Sequence, residues 1–115
     1  MSLNYYRDEC HQNSKNRGWW KGITKNPLAA AAKLCLIHSE ISEAMEGIRK
    51  DKNDDHLPHR KMGEVELADA LIRIFDLAGF LNYDLEGAYQ EKLQYNKQRA
   101  DHDLSNRSKD GGKKF

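Results

Sequence analysis

Cysteine occurs at only two of the 115 positions, Cys10 and Cys35. Two thiols are too few for a disulfide framework and show no metal-ligand spacing, so free thiols in a reducing cytoplasm are expected. An excess of charge of one sign is also missing, because 19 Lys and Arg stand against 18 Asp and Glu, a net charge of +1. Such a chain has no long-range field to draw it onto a nucleic acid polymer or an acidic membrane, and phosphate ligands must be met by local charge or by metal. Long hydrophobic runs are lacking. The longest apolar stretch, 27–37, is broken by Lys33 and is too short to span a bilayer. No basic, apolar and small-residue succession at the start resembles a signal peptide, so a cytoplasmic location is expected. Repeats, low-complexity blocks and strand signals are absent as well.

What is there reads as one soluble globular domain, 1–115, with 38% hydrophobic and 32% charged residues. A domain of this length buries roughly two-thirds of the surface its unfolded chain exposes, which supports a modest core. The expected fold class is all-α. A first helix is expected over 3–12, then a polar loop over 13–25 that holds Trp19 and Trp20. Asn26-Pro27 opens a second helix: Asn caps it, and Pro suits the first helical position because its missing N–H has no partner there. Leu34, Ile37, Ile41, Met45 and Ile48 continue that helix with a helical period to about residue 50. A charged loop over 51–58 leads to a third helix over 59–81, and Asp84 is placed to cap a fourth that reaches about residue 100. Four helices with short connections imply a bundle, or a half-bundle completed by oligomerisation. The Gly/Lys-rich tail over 101–115 is expected to order only against a partner or ligand.

The third helix carries the most informative pattern. Between residues 65 and 81 its only charged residues are Glu66, Asp69, Arg73 and Asp76. At about 100° per residue they fall within an arc of about 80°, and apolar side chains cover most of the rest. A helix this apolar belongs largely inside, so its acidic stripe should line a cleft. On the second helix Glu40 and Glu43 lie one turn apart beside the seam of Leu34, Ile37, Ile41 and Ile48. Packed antiparallel, the two helices bring four carboxylates together. Each like-charge pair about 4 Å apart costs about 4 kcal/mol at an effective dielectric near 20, which protonation or a bound cation must relieve. Oxygen-only ligands of high charge select Mg²⁺ or Mn²⁺.

Glu40-x-x-Glu43, 22 intervening residues and Glu66-x-x-Asp69 resemble the signature of the MazG-like all-α nucleoside triphosphate pyrophosphohydrolases. The flanking Leu-Ile-His-Ser-Glu-Ile-Ser-Glu-Ala (36–44) and Val-Glu-Leu-Ala-Asp-Ala-Leu-Ile-Arg-Ile-Phe-Asp-Leu-Ala-Gly (65–79) agree with it, as do Glu-Lys-Leu-Gln-Tyr-Asn (91–96) and the closing Gly111-Gly112-Lys113-Lys114. The chain departs from the family where Asp101 to Asp110 space those glycines from the fourth helix and where Asp110 stands in place of a common His. The resemblance implies magnesium-dependent hydrolysis of a (d)NTP to (d)NMP and pyrophosphate. It implies that Glu40, Glu43, Glu66 and Asp69 are metal ligands, that Glu40 or Glu43 takes the proton of the attacking water, and that Lys92, Asn96, Trp20 and Lys113 meet the substrate. A homodimer or a dimer of dimers is expected, with the tail lysines 113 and 114 of one chain near nucleotide held by another.

Each of these residues also has a plainer reading. Glu pairs at helical spacing are usually solvated surface, and Lys92 and Asn96, four apart, are also ordinary exposed helix residues. Trp19 or Trp20 stacks on a base or serves as a core lid. Arg73 is expected to neutralise its helical neighbours Asp69 and Asp76 in preference to holding phosphate. His56 and His59, with Asp54 or Asp55, form a weak zinc pattern. A di-iron bundle wants Glu-x-x-His, which is nowhere in the chain. A helical module whose acidic cleft receives a basic peptide explains the charges but not the apolar third helix. Phosphoribosyl-ATP or dUTP-selective pyrophosphohydrolases share much of the pattern.

Overall fold

The structure, a computed structural model, describes residues 1–99 and 104–113. Its helices are α1 (Leu3–Asn16), α2 (Pro27–Arg49), α3 (Met62–Phe80), α4 (Leu85–Gln98) and the single turn α5 (Leu104–Arg107). The described residues are thus all-α, as expected, with one isolated bridge between Asn53 and Lys61. None of these helices is long and apolar enough to cross a membrane. The chain divides into two compact units, Met1–Tyr83 and Asp84–Phe115.

Caps set the helix starts. Asn26 accepts the Ala29 N–H at 2.8 Å ahead of Pro27, Ser2 accepts that of Tyr5 at 3.2 Å, and Asp84 accepts that of Gly87 at 3.0 Å. Two boundaries differ from expectation. The first helix runs on to Asn16, where Gln12 bonds the Asn16 side chain one turn later at 2.8 Å. The third helix starts at Met62 and not at 59, because the preceding segment has hydrogen bonds of its own. Asp54 there accepts the N–H groups of His56 and Leu57 at 2.9 and 2.8 Å, and Met62 donates its N–H to the Lys52 carbonyl. In the tail, α5 supplies one helical turn where none is expected.

In the first unit α2 and α3 run antiparallel, since Gly47 lies beside Met62 while Ile37 shares the core with Leu77. Their facing stripes are Ile37, Glu40, Ala44 and Gly47 on α2 and Gly63, Glu66, Ala70 and Leu77 on α3, all buried. Small residues let the backbones approach closely: a Cβ at Gly47 would meet the Met62 side chain at 2.7 Å, and one at Gly63 would meet that of Ile48 at 2.8 Å.

Helix α1 covers another side of α3. Tyr6 lies 5.8 Å from the Phe75 ring, and Arg7 Nη1 donates to the Tyr83 carbonyl at 2.7 Å. Between the helices sits a small core of Trp20, Ile37, Leu77 and Phe80. Trp20 stacks on Phe80 with ring centroids 4.0 Å apart, and its Nε1 donates to Asp76 Oδ1 at 2.8 Å. His11 Nδ1 lies 2.8 Å from the same oxygen.

The apolar seam expected on α2 is largely uncovered. Only Ile37 of that set is buried, while Leu34, Ile41 and Met45 are about half exposed and Ile48 about two-thirds. They lie about 90° around α2 from the stripe that meets α3. On the same side of the helix pair, α3 exposes Leu67 and Leu71, and Ile48 and Leu67 border one shallow hollow there. The second unit has no buried residue in α4. There Lys92 Nζ rests 4.7 Å from the Tyr95 ring, and Tyr89, Leu93 and Tyr95 are exposed.

Candidate metal centre

Halfway along the α2–α3 seam the small residues give way to carboxylates. Glu40, Glu43 and Glu66 each place one oxygen within 4.8 Å of the others, and this is the one such group of three among the described residues. The antiparallel register produces it: Glu40 and Glu43 are one turn apart on α2, and Glu66 faces them from α3 between Gly63 and Ala70. Glu40 and Glu66 are 8% and 9% exposed, whereas Glu43 opens to solvent. Glu66 Oε2 is buried and no N–H or hydroxyl group donates to it; the hydrogen-bonding neighbours of the Glu66 carboxyl are the carboxylates of Glu40 and Glu43. Burial, reinforced by the carboxylates of Glu40 and Glu43, pushes the Glu66 carboxyl up to about 8. Asp69, one turn along α3, is half-buried and lies outside the three-oxygen group. Its carboxyl is raised by burial and by the Glu40 charge, with Arg73 opposing.

Arg73 acts only in part as expected: its charge lowers the Asp69 carboxyl on its own helix, but its hydrogen bond goes to the other helix. Its Nε donates to Glu40 Oε1 on the other helix at 2.9 Å, so its charge serves a carboxylate across the seam and not its helical neighbour Asp76. Asp76 is taken up by His11 and Trp20. Both departures have one cause: a helical wheel shows the neighbours within a helix but not which side chain of another helix comes closer.

Trp20, expected to meet the substrate, is a core residue at 8% exposure. One face lies on Phe80 and the Lys33 ammonium sits 4.6 Å from its ring, which leaves no face free for a base. Trp19 is the accessible one of the pair, at 54% exposure. It borders a cleft of about 360 Å³ between α1 and α3, whose wall includes Ser14, Arg17, Ile72 and Arg73. Ser14 is buried there with its Oγ unpartnered. Cys10 lines the same cleft, and burial together with the Glu9 and Asp76 carboxylates holds its thiol above the usual range, so it is a poor nucleophile. The sequence reading missed this cleft because it ended the first helix at residue 12. Ser14 and Arg17 are polar, so no apolar period extends that helix past residue 12.

The remaining expected site residues lie in the second unit. Lys92 is exposed beside Tyr95, Asn96 carries a buried side-chain oxygen with no partner, and Lys113 is exposed. Lys114 and residues 101–103 lie outside the described residues. Asp54 spends one carboxylate oxygen on the turn of its own loop, with His56 and His59 exposed.

Comparison of this chain with protein-family models, with curated proteins and with solved structures finds no match.

Proposed function

We propose that the chain is a magnesium-dependent nucleoside triphosphate pyrophosphohydrolase of the MazG-like kind, with its centre at Glu40, Glu43, Glu66 and Asp69. The observation that carries this is the buried Glu66 oxygen, which receives no N–H or hydroxyl donor and has only the Glu40 and Glu43 carboxylates beside it. Three acids so close are a poor way to stabilise a fold and a good way to bind a hard cation, because all the donors are oxygen. Glu40, Glu43 and Glu66 are the nearest ligand set, with Asp69 the fourth acid along α3. Bound magnesium supplies charge neutralisation for the triphosphate and a water of lowered pKa.

The chain's own residues divide the remaining work. Glu40 is held by Arg73 and buried, so Glu43, open to solvent, is the better placed of the two to accept a proton from water. The first products should be a nucleoside monophosphate and pyrophosphate. Chromatography of a (d)NTP digest tests this, and a nucleoside diphosphate with orthophosphate as first products would refute it.

The uncovered face of α2 and α3 bears on assembly. Leu34, Ile41, Met45, Ile48, Leu67 and Leu71 form a contiguous apolar surface on the side of the helix pair away from the acids, the kind of patch that marks an interface. We assign it to a second copy of the chain, a homodimer that completes the bundle. Light scattering at micromolar concentration should give about twice the 13.3 kDa of one chain or more. A monodisperse single-chain mass would remove the dimer.

A further inference from the structure

Arg73 stands between two spaces. On one side its Nε donates to Glu40 Oε1 at 2.9 Å within the acidic centre; on the other its side chain forms part of the wall of the α1–α3 cleft, with Arg17 and Trp19. It is about one-third exposed, against 11% for the Glu40 side chain, so the guanidinium has room to leave while the carboxylate does not. We propose that Arg73 is an internal counter-ion which a divalent cation displaces from Glu40, and that the released guanidinium then serves as an anion-binding group of the cleft. This rests on the acidic centre being a cation site.

The physical reason is charge balance. Without a cation, Glu40 is buried beside two other acids and needs a positive partner, which Arg73 supplies as a charge-assisted hydrogen bond. A dication held by Glu40, Glu43 and Glu66 would satisfy the Glu40 charge, and its own charge would repel the guanidinium beside it. Arg73 cannot shed its charge by losing a proton, so the rearrangement left to it is to turn away. The cleft gives it somewhere to turn: its wall holds Arg17 and the carboxylates of Glu9 and Asp76, the latter engaged by His11 and Trp20, and a guanidinium beside Arg17 there suits a phosphate oxygen pair. Cation and anion binding are thereby coupled through one side chain, with the arginine available to phosphate only once the cation is in place.

Two measurements test this. The first follows the Arg73 Nε–H by ¹H–¹⁵N NMR, identified as the resonance missing from Arg73→Lys. It should be protected from exchange in the cation-free protein and lose that protection during a Mg²⁺ titration, at the midpoint of cation binding. The second compares Mn²⁺ binding, read by electron paramagnetic resonance, with inorganic pyrophosphate binding to the Mg²⁺-loaded protein. Arg73→Gln should bind Mn²⁺ roughly tenfold more tightly and pyrophosphate roughly tenfold more weakly, while Arg73→Lys, which keeps the charge, should recover part of the pyrophosphate affinity. Opposite signs from one substitution are what a merely structural arginine would not give, since a damaged fold weakens both. An Nε–H that stays protected at saturating Mg²⁺, or an Arg73→Gln that loses affinity for both, overturns the inference while leaving the cation site intact. Absence of Mn²⁺ binding to the unaltered protein removes the acidic-centre reading and this one together.

Discussion

Glu66→Gln should abolish pyrophosphate release and yet leave the metal-free protein more stable at neutral and alkaline pH. Removing a group that merely supports a metal ligand costs about 10–100-fold, and the ligand itself should cost no less, so a loss of at least about 10-fold is expected. Glu43→Gln and Asp69→Asn should follow, with helical content unchanged, because each exchange removes charge and keeps shape. The stability effect has the opposite sign. The Glu66 carboxyl, ordinarily near 4.5, is held at about 8 in the fold. Between those values the folded chain carries a proton that the unfolded chain has released, so the stability of the metal-free protein falls as pH rises from about 4.5 to about 8 and levels off above. The raised Asp69 carboxyl adds to the fall. Glu66→Gln removes most of that slope, and saturating Mg²⁺ should offset it by binding the folded form alone. Denaturant melts across this pH range, with and without Mg²⁺, provide the check. A flat profile for the unaltered protein, or full activity in the variant or in excess chelator, would dispose of the assignment.

The largest loss of stability should come from Trp20, outside the acidic centre. Trp20→Ala removes the largest ring of a four-residue core, takes the stacking partner from Phe80 and leaves Asp76 without the indole donor. Large-to-small changes of this kind cost about 3–5 kcal/mol, a large share of the 5–15 kcal/mol typical of a whole domain. Asp76→Ala should cost somewhat less, about 1–3 kcal/mol, by orphaning the nitrogens of buried Trp20 and half-buried His11. Asp76→Asn, which keeps an acceptor oxygen, should recover part of that. Urea unfolding followed by circular dichroism measures all three. Trp20→Ala within about 1 kcal/mol of the unaltered chain would mean that the ring is not the centre of the core.

Much of this arrangement can be read from residue order, and the remainder shows where such reading stops. The start of α2 is legible because Asn26-Pro27 is a local signal. The acids of α3 are legible because charge inside an otherwise apolar helix has to be accounted for. The buried face of α2 is not. Its apolar period points to Leu34, Ile37, Ile41 and Ile48, but the stripe that meets α3 holds Ala44 and Gly47, whose small size serves close approach and carries almost no hydrophobic signal. Periodicity counts apolar faces without telling which neighbour takes which face. The Arg73–Glu40 pair and the Asp76 hub with His11 and Trp20 are invisible for a related reason, since each joins residues more than 30 positions apart.

The Gly47–Met62 and Gly63–Ile48 approaches work as a calibre gauge for the acidic centre. Carboxylate side chains of fixed length project from two backbones whose separation is set by side chains that are missing, so the bore between the oxygens is dictated by glycine and alanine and not by the acids. Oxygen–cation distances differ by only a few tenths of an ångström between ions, about 2.0–2.1 Å for magnesium against about 2.3–2.6 Å for calcium. A methyl group at Gly47 or Gly63 would come within 2.8 Å of the Met62 or Ile48 side chain, so that side chain or its helix has to give way. If the acidic centre holds a cation, Gly47→Ala or Gly63→Ala would shift its preference between ions from positions that touch none of them.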